Sequence, residues 1–253
     1  GAVGSYLISS DSSRVVYTAD QDVAGTDELY SINITGPSGS GVKINRPLIA
    51  NWEVKLPRLT SDGQRVVYSA GVGFDDTECL YSVPITGPAN DAVQLTGLTV
   101  NLVDLWSFAI SPDDRWVVYR GREGASTTEI LFSVRIEGGI GTNEKLSKEG
   151  LLYGGVQGSV IAPDSGGVAY TQTRGLVPSS ERDHLYYVPI RGPALSSTGL
   201  SGAIVTDGDV IGFLFSPEGD RVVYRADQDT DEVFELYAST VPLAAAERWD
   251  GYR

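Results

Sequence analysis

The chain has 253 residues, 41% of them apolar and 21% charged, which is enough apolar material for a sizeable core and unlike a disordered polymer. A formal charge of −14 argues against nucleic acid and anionic membrane surfaces as partners, since both need clustered Lys and Arg. The single cysteine, Cys79, admits no internal disulfide, and no apolar run is long enough for a transmembrane helix.

The start, Gly1-Ala2-Val3-Gly4, has neither the basic nor the apolar region of a signal peptide, and the chain contains no methionine. Both features suit a chain cut from a longer precursor or lacking its initiator. The first predicted strand carries Tyr6 and Ile8 and ends in a turn at Asp11. The second is Val15-Val16-Tyr17. A polar loop, Ala19 to Glu28, leads to a third strand through Leu29-Tyr30, and the weaker Val42-Lys43-Ile44 makes a fourth.

This unit recurs. The turn acids are Asp11, Asp62, Asp113, Asp164 and Glu218, separated by 51, 51, 51 and 54 residues. Six residues after each acid stands a tyrosine: Tyr17, Tyr68, Tyr119, Tyr170 and Tyr224. A second aromatic series, Tyr30, Tyr81, Phe132, Tyr186 and Tyr237, follows a leucine each time. Further first strands hold Phe108 and Ile110, or Phe213 and Phe215. Further third strands read most clearly from Leu80 to Ile85 before a Gly-Pro turn. Apolar triplets without strict alternation suit sheets covered on both faces. Short strands with a fixed period near 51 residues select an all-β fold, a β-propeller of five four-stranded antiparallel blades. A single domain, 1–253, then divides into blades at about 1–54, 55–105, 106–156, 157–211 and 212–253.

The turn of Ser-Pro-Asp type, the Val-Val-Tyr strand and the following Glu-Leu-Tyr resemble the TolB-like propeller repeat. The copy from Ser216-Pro217-Glu218 to Glu235-Leu236-Tyr237 is the nearest match. The resemblance spans the chain and implies a fold rather than an activity. It implies a periplasmic or extracellular protein that binds other proteins, or the non-catalytic propeller of an enzyme like prolyl oligopeptidase. Such propellers usually close with six or more blades. Here the fifth copy lacks a clear fourth strand, leaving a five-bladed ring and a section of a larger or inter-chain assembly both open. The fifth blade's outer edge is expected to pair with the tail after Leu243, with Gly1 to Gly4, or with another chain.

Catalytic signals are sparse. The only histidine, His184, falls in a third strand, where a packed or solvated ring is the plain reading. Gly199-Leu200-Ser201-Gly202-Ala203 departs from a nucleophile elbow and lies in a connection. The recurring acids are turn devices, so no catalytic residue is assigned. Asp227, Asp229, Asp231 and Glu235 have the alternating oxygen ligands of a calcium loop, although Glu232 replaces the usual glycine. Asp20 and Asp22 echo the pattern, and a solvated acidic hairpin tip is the alternative. Asn33-Ile34-Thr35 is a glycosylation sequon, and Trp52, Trp106 and Trp249 lie outside the repeating aromatics.

The loops 19–28, 70–78 and 226–235 contain twelve acids and no Lys or Arg. In a closed ring they share one arc of one rim, which favours divalent cations or a basic protein partner. The sequence therefore reads as a non-catalytic extracellular or periplasmic scaffold displaying loops. Its rivals are the non-catalytic propeller of a secreted hydrolase, and a structural subunit of a filament or surface layer that self-assembles through its incomplete last blade.

Overall fold

A computed structural model describes residues 2–48, 52–71, 78–97, 100–102, 108–123, 128–148, 155–174 and 182–242. The chain divides into two compact units, Gly1–Thr127 with Phe132–Asn143, and Thr128–Leu131 with Glu144–Arg253. Among the described residues the structure is antiparallel strand and turn, with nothing helical beyond single turns such as Ala89–Asp91 and Ala194–Ser196. Tail residues 243–253, Trp106, Trp249 and the loop acids Asp75 and Asp76 lie outside the described residues.

The first sheet is a meander of β1 (Val3–Ile8), β2 (Arg14–Ala19), β3 (Glu28–Asn33) and β4 (Val42–Lys43). The second repeats it with β5 (Val54–Leu59), β6 (Arg65–Gly71), β7 (Glu78–Pro84) and β8 (Val93–Gln94). The third has β10 (Phe108–Ile110), β11 (Trp116–Glu123), β12 (Ile130–Arg135) and β13 (Glu144–Lys145). It gains a fifth strand, β9 (Val100–Leu102), which pairs with β11, so residues that the repeat assigned to the second blade belong to the third sheet. The fourth holds β14 (Val156–Ile161), β15 (Gly167–Arg174), β16 (Arg182–Pro189) and β17 (Thr198–Gly199). Among the described residues the fifth has three strands, β18 (Val210–Phe215), β19 (Arg221–Ala226) and β20 (Glu235–Thr240). In the first sheet β1 begins at Val3 and pairs Val3 with Ala19.

Each first turn is built alike. The residue after the acid has positive φ: Ser12 57°, Gly63 69°, Asp114 59°, Ser165 60° and Gly219 78°. Its N–H bonds the carbonyl three residues back, as Ser12 to Ser9 and Gly219 to Ser216. The acid then accepts from the N–H two residues on: Asp11 from Ser13 at 2.9 Å, Asp62 from Gln64 at 2.9 Å, Asp113 from Arg115 at 3.2 Å and Asp164 from Gly166 at 2.8 Å. This is the turn role expected of the repeated acid. In the fifth turn the longer Glu218 is relieved by Asp220, which accepts from the Ser216 hydroxyl at 2.8 Å. Asp114 also ties two turns of one unit together, accepting from the Ser61 N–H at 2.7 Å, the Ser61 hydroxyl at 2.6 Å and the Asp62 N–H at 2.9 Å.

The two aromatic series are cross-strand partners. Tyr17 stacks on Tyr30 with centroids 5.5 Å apart, and the pairs Tyr68–Tyr81, Tyr119–Phe132, Tyr170–Tyr186 and Tyr224–Tyr237 repeat the contact within each sheet. They line one face of the sheet, hereafter the tyrosine face. The opposite, leucine face carries Val16, Leu29 and Ile44 in the first sheet. In the first unit these three pack against Val66, Tyr68, Ala70 and Tyr81 on the tyrosine face of the second sheet. In the second unit Ala169, Leu185 and Leu200 pack against Val222, Tyr224 and Ala226 in the same way. Strands buried on both sides have no need to alternate, and this explains the apolar triplets.

The first and last sheets depart from the two-sided burial that the triplets imply. Leu29, Leu80, Leu131 and Leu185 are 0% exposed, whereas Leu236 at the same repeat position is 75% exposed. Val223 and Leu214 are exposed beside it, as are Val3, Tyr6 and Ile8 on the tyrosine face of the first sheet. Leu80→Ala is accordingly expected to cost about 2–5 kcal/mol by leaving a cavity, and Leu236→Ala to stay within about 0.5 kcal/mol in the monomer; urea unfolding of the two variants checks this. Gly219→Ala should cost about 1 kcal/mol because its φ of 78° is left-handed and no neighbour crowds the new methyl. Ser12→Gly, at the equivalent strained position, should be neutral to stabilising in the same measurement.

Candidate functional site

The acidic loops between second and third strands carry the predicted ligands, and the first and fifth sheets use them in one pattern. Asp20 accepts from the Ala2 N–H at 2.5 Å and the Gly25 N–H at 3.2 Å. Asp227, buried, accepts from the Asp209 N–H at 2.6 Å and the Glu232 N–H at 3.0 Å. Each carboxylate therefore clamps the approach to its first strand onto its own loop. Gly25 and Glu232, the loop donors, both have positive φ, so Glu232 tolerates the conformation for which a glycine was expected. The bond from Gly25 and then that from Ala2 hold the Asp20 carboxyl below its ordinary range.

The second acids diverge. Asp22 pairs with the Lys43 ammonium at 2.8 Å, and Glu28, buried beneath, takes the same ammonium at 3.0 Å. The Tyr30 hydroxyl donates to Glu28 at 3.2 Å. Burial first, then the charges of Glu28 and Asp22, push the Tyr30 phenol well above its ordinary value. In the fifth sheet the Tyr237 hydroxyl lies between Asp229 at 3.1 Å and Glu235 at 3.0 Å. Desolvation, then those two carboxylates, raises its pKa likewise. Asp229, Glu235 and Tyr237 thus repeat Asp22, Glu28 and Tyr30 in a sheet whose described strands supply no counterpart of Lys43. Asp231 is exposed at the loop tip. Among the described residues no three His, Cys, Asp or Glu side chains are grouped as a metal site.

The other candidates are structural in their surroundings. The half-buried His184 ring lies against Tyr186, with centroids 6.3 Å apart. Burial, then Arg174 and Arg182, lowers its pKa. Cys79 is buried, its thiol pushed up by burial and accepting from Gln94 Nε2 at 3.3 Å. Asn33 is exposed, its amide oxygen accepting from the Thr35 N–H and hydroxyl at 2.9 and 2.8 Å. A cavity of about 420 Å³ in the first unit is lined by Leu7, Thr18, Asp27, Val54, Lys55 and Pro57 among others. Lys55 bonds Glu78 at 2.9 Å there.

One recurring pair escaped the sequence reading. Ile44-Asn45, Leu95-Thr96, Leu146-Ser147 and Leu200-Ser201 close the fourth strands. Each apolar N–H bonds the carbonyl of Leu29, Leu80, Leu131 or Leu185 at 2.8 Å. The next side chain accepts from the same leucine's N–H, at 2.8, 2.9, 2.9 and 3.1 Å. The signal is an Ile or Leu followed by Asn, Thr or Ser at the repeat period, hidden by the shortness of the strands.

Lys43→Met should destabilise the protein by about 1–2 kcal/mol, less than for a fully buried pair because solvent reaches the lysine. The pair has two pH limits. Asp22 is depressed, chiefly by its bond to Lys43, so that contribution is lost as pH falls below the ordinary 3.8. Lys43 is raised, chiefly by Asp22, so it is also lost as pH rises above the ordinary 10.5. The difference between wild type and variant in thermal unfolding should be steady between these limits and shrink outside them.

The sequence matches no described protein family and no curated protein. Solved structures do match. A structure from work on two prolyl endopeptidases and the role of inter-domain dynamics in their catalysis and specificity superposes with a TM-score of 0.56 at 11% identity, over 94% of this chain and 34% of that one. Prolyl oligopeptidase B of Galerina marginata, bound to a 35-residue hydrolysis and macrocyclization substrate, gives 0.57 at 12% identity, over 94% and 35%. The chain spans about a third of the length of these proteins, and the likeness is to their propellers. The fold is a β-propeller, built from antiparallel meander blades.

Proposed function

We propose that this chain is the non-catalytic propeller of a hydrolase, a rigid scaffold acting beside a catalytic domain encoded outside these residues. The observation that carries the reading is the match of nearly the whole chain to propellers of peptidases several times its length. The chemistry of the described residues supports it, since the lone histidine meets a tyrosine and the recurring acids serve turns and strand clamps. Loops held at fixed positions by sheets can screen or orient a substrate without reacting with it. An extracellular or periplasmic location belongs to the proposal and rests on the TolB-like resemblance of the repeat.

An antibody against the chain, applied to extracts of the organism that encodes it, should recover a polypeptide or complex heavier than 27.0 kDa that reacts with a fluorophosphonate serine probe. Recovery of a 27.0 kDa species without a labelled companion would overturn the reading.

A second reading, a scaffold for a basic protein partner, is favoured by one observation. The carboxylates of Asp229 and Glu235 converge on Tyr237 where the first sheet holds the Lys43 ammonium. The cation that suits this site is a lysine presented by a strand, in preference to calcium. Calorimetric titration with calcium into the millimolar range should give no heat. A calcium heat that Asp229→Asn abolishes would return the loop to metal binding.

A further inference from the structure

A groove of about 510 Å³ lies between the turns of the second and third sheets, wholly within the first unit. Its volume falls in the ordinary range of small-molecule sites, roughly 300–1,000 Å³. Three arginines line it: Arg65 from the second sheet, and Arg115 and Arg135 from the third. In a chain of charge −14, three guanidinium groups in one groove run against the overall balance.

The repeat shows what is particular about this place. Where the third sheet has Arg115, the other sheets have Ser13, Gln64, Gly166 and Asp220, and where it has Arg135 they have Asn33, Pro84, Pro189 and Thr240. Strand β11 opens with Trp116 in place of the arginine that opens β2, β6 and β19. That exchange gives the Arg135 guanidinium an indole to stack on, 5.5 Å from the ring centroid. Arg65 belongs to the repeat: its Nε donates to the Ser82 hydroxyl at 2.9 Å, as that of Arg14 does to Ser31. Residues peculiar to one blade, gathered on a scaffold shared by all, are where a site is added to a fold.

The acids of the groove serve its turns. Asp62 accepts from the Gln64 N–H, and Asp113 from the Ser111 hydroxyl and the Arg115 N–H. Asp114 gives both oxygens to Ser61 and Asp62, which fixes the two turns against each other. The fourth acid, Glu137, has a side chain 75% exposed and reaches Arg65 at 3.6 Å, beyond hydrogen-bond length. Among the described residues no carboxylate lies within ion-pair distance of Arg115 or Arg135. Burial, against the charge of Glu137, holds the Arg65 guanidinium below its ordinary pKa.

We propose that this groove binds the oxyanion of a small ligand, a carboxylate or phosphate group held by Arg115 and Arg135 beside Arg65. A guanidinium fork matches either group through two parallel N–H···O bonds. All of the lining comes from residues 60–137 of one unit, so the site is independent of the hydrolase reading and of the ends of the chain.

Calorimetric titration of the 253-residue chain with succinate, and separately with inorganic phosphate, tests this in a buffer free of both. At least one should bind in the millimolar range or tighter, and the tighter of the two identifies the group. Arg115→Gln and Arg135→Gln should each weaken that binding by at least about tenfold, through loss of a charge-assisted hydrogen bond. Arg221→Gln, which removes one positive charge from the fifth sheet, should bind as wild type does. All three side chains are exposed, so the variants should fold, and thermal unfolding equal to wild type verifies each. Absence of binding by either anion, binding that Arg115→Gln and Arg135→Gln leave unchanged, or an equal loss in Arg221→Gln would each overturn the proposal.

Discussion

Val16, Leu29 and Ile44 of one sheet interlock with Val66, Tyr68 and Ala70 of the next, and Ala169, Leu185 and Leu200 do the same with Val222, Tyr224 and Ala226. Neither sheet has another way to remove its apolar side chains from water, because a four-stranded meander is too thin to hold a core within itself. Burial of one such side chain contributes about 1.5–3 kcal/mol, so each sheet is stable chiefly through its neighbour. The local devices serve this packing. The left-handed turn after β1-type strands sets the register, the Tyr–Tyr stack stiffens the face, and the Leu-Ser or Ile-Asn closure satisfies the backbone of the leucine that enters the next sheet.

The same constraint explains why an acidic chain uses its acids as it does. Loops that emerge from packed sheets must tie down their own backbone donors, and Asp20 and Asp227 do so with both carboxylate oxygens. A carboxylate so engaged has lost much of what it would give a metal. What remains for recognition is the second layer of acids, and there the sheets differ. The first neutralises Asp22 and Glu28 with its own Lys43, while the fifth presents Asp229 and Glu235 around a tyrosine hydroxyl. Repetition makes the difference visible, since one blade serves as the reference state for another.

Propellers lend themselves to accessory roles because the fold separates support from chemistry. The sheets are rigid and the loops vary, and no blade needs a reactive group to be stable. His184 lies against Tyr186, Cys79 is buried and the hairpin acids are bonded to their own turns.

Sequence alone determined the repeat, the strand order and the turn chemistry, because these depend on local spacing: an acid, a strand of Val-Val-Tyr six residues later, a leucine before the second aromatic. It also placed His184 in a third strand and the acids Asp20, Asp22, Asp227, Asp229, Asp231 and Glu235 in hairpin loops. It missed the fourth-strand closure, where two residues carry the whole signal. Tertiary structure alone decided which carboxylates were engaged and by what, since Asp209 and Ala2 reach Asp227 and Asp20 from 18 residues away. It alone decided which faces are covered as well. Val222-Val223-Tyr224 reads like every other triplet, yet Val223 is exposed and Val16 is not, because burial of a sheet face is set by the neighbouring sheet and by nothing in the strand itself.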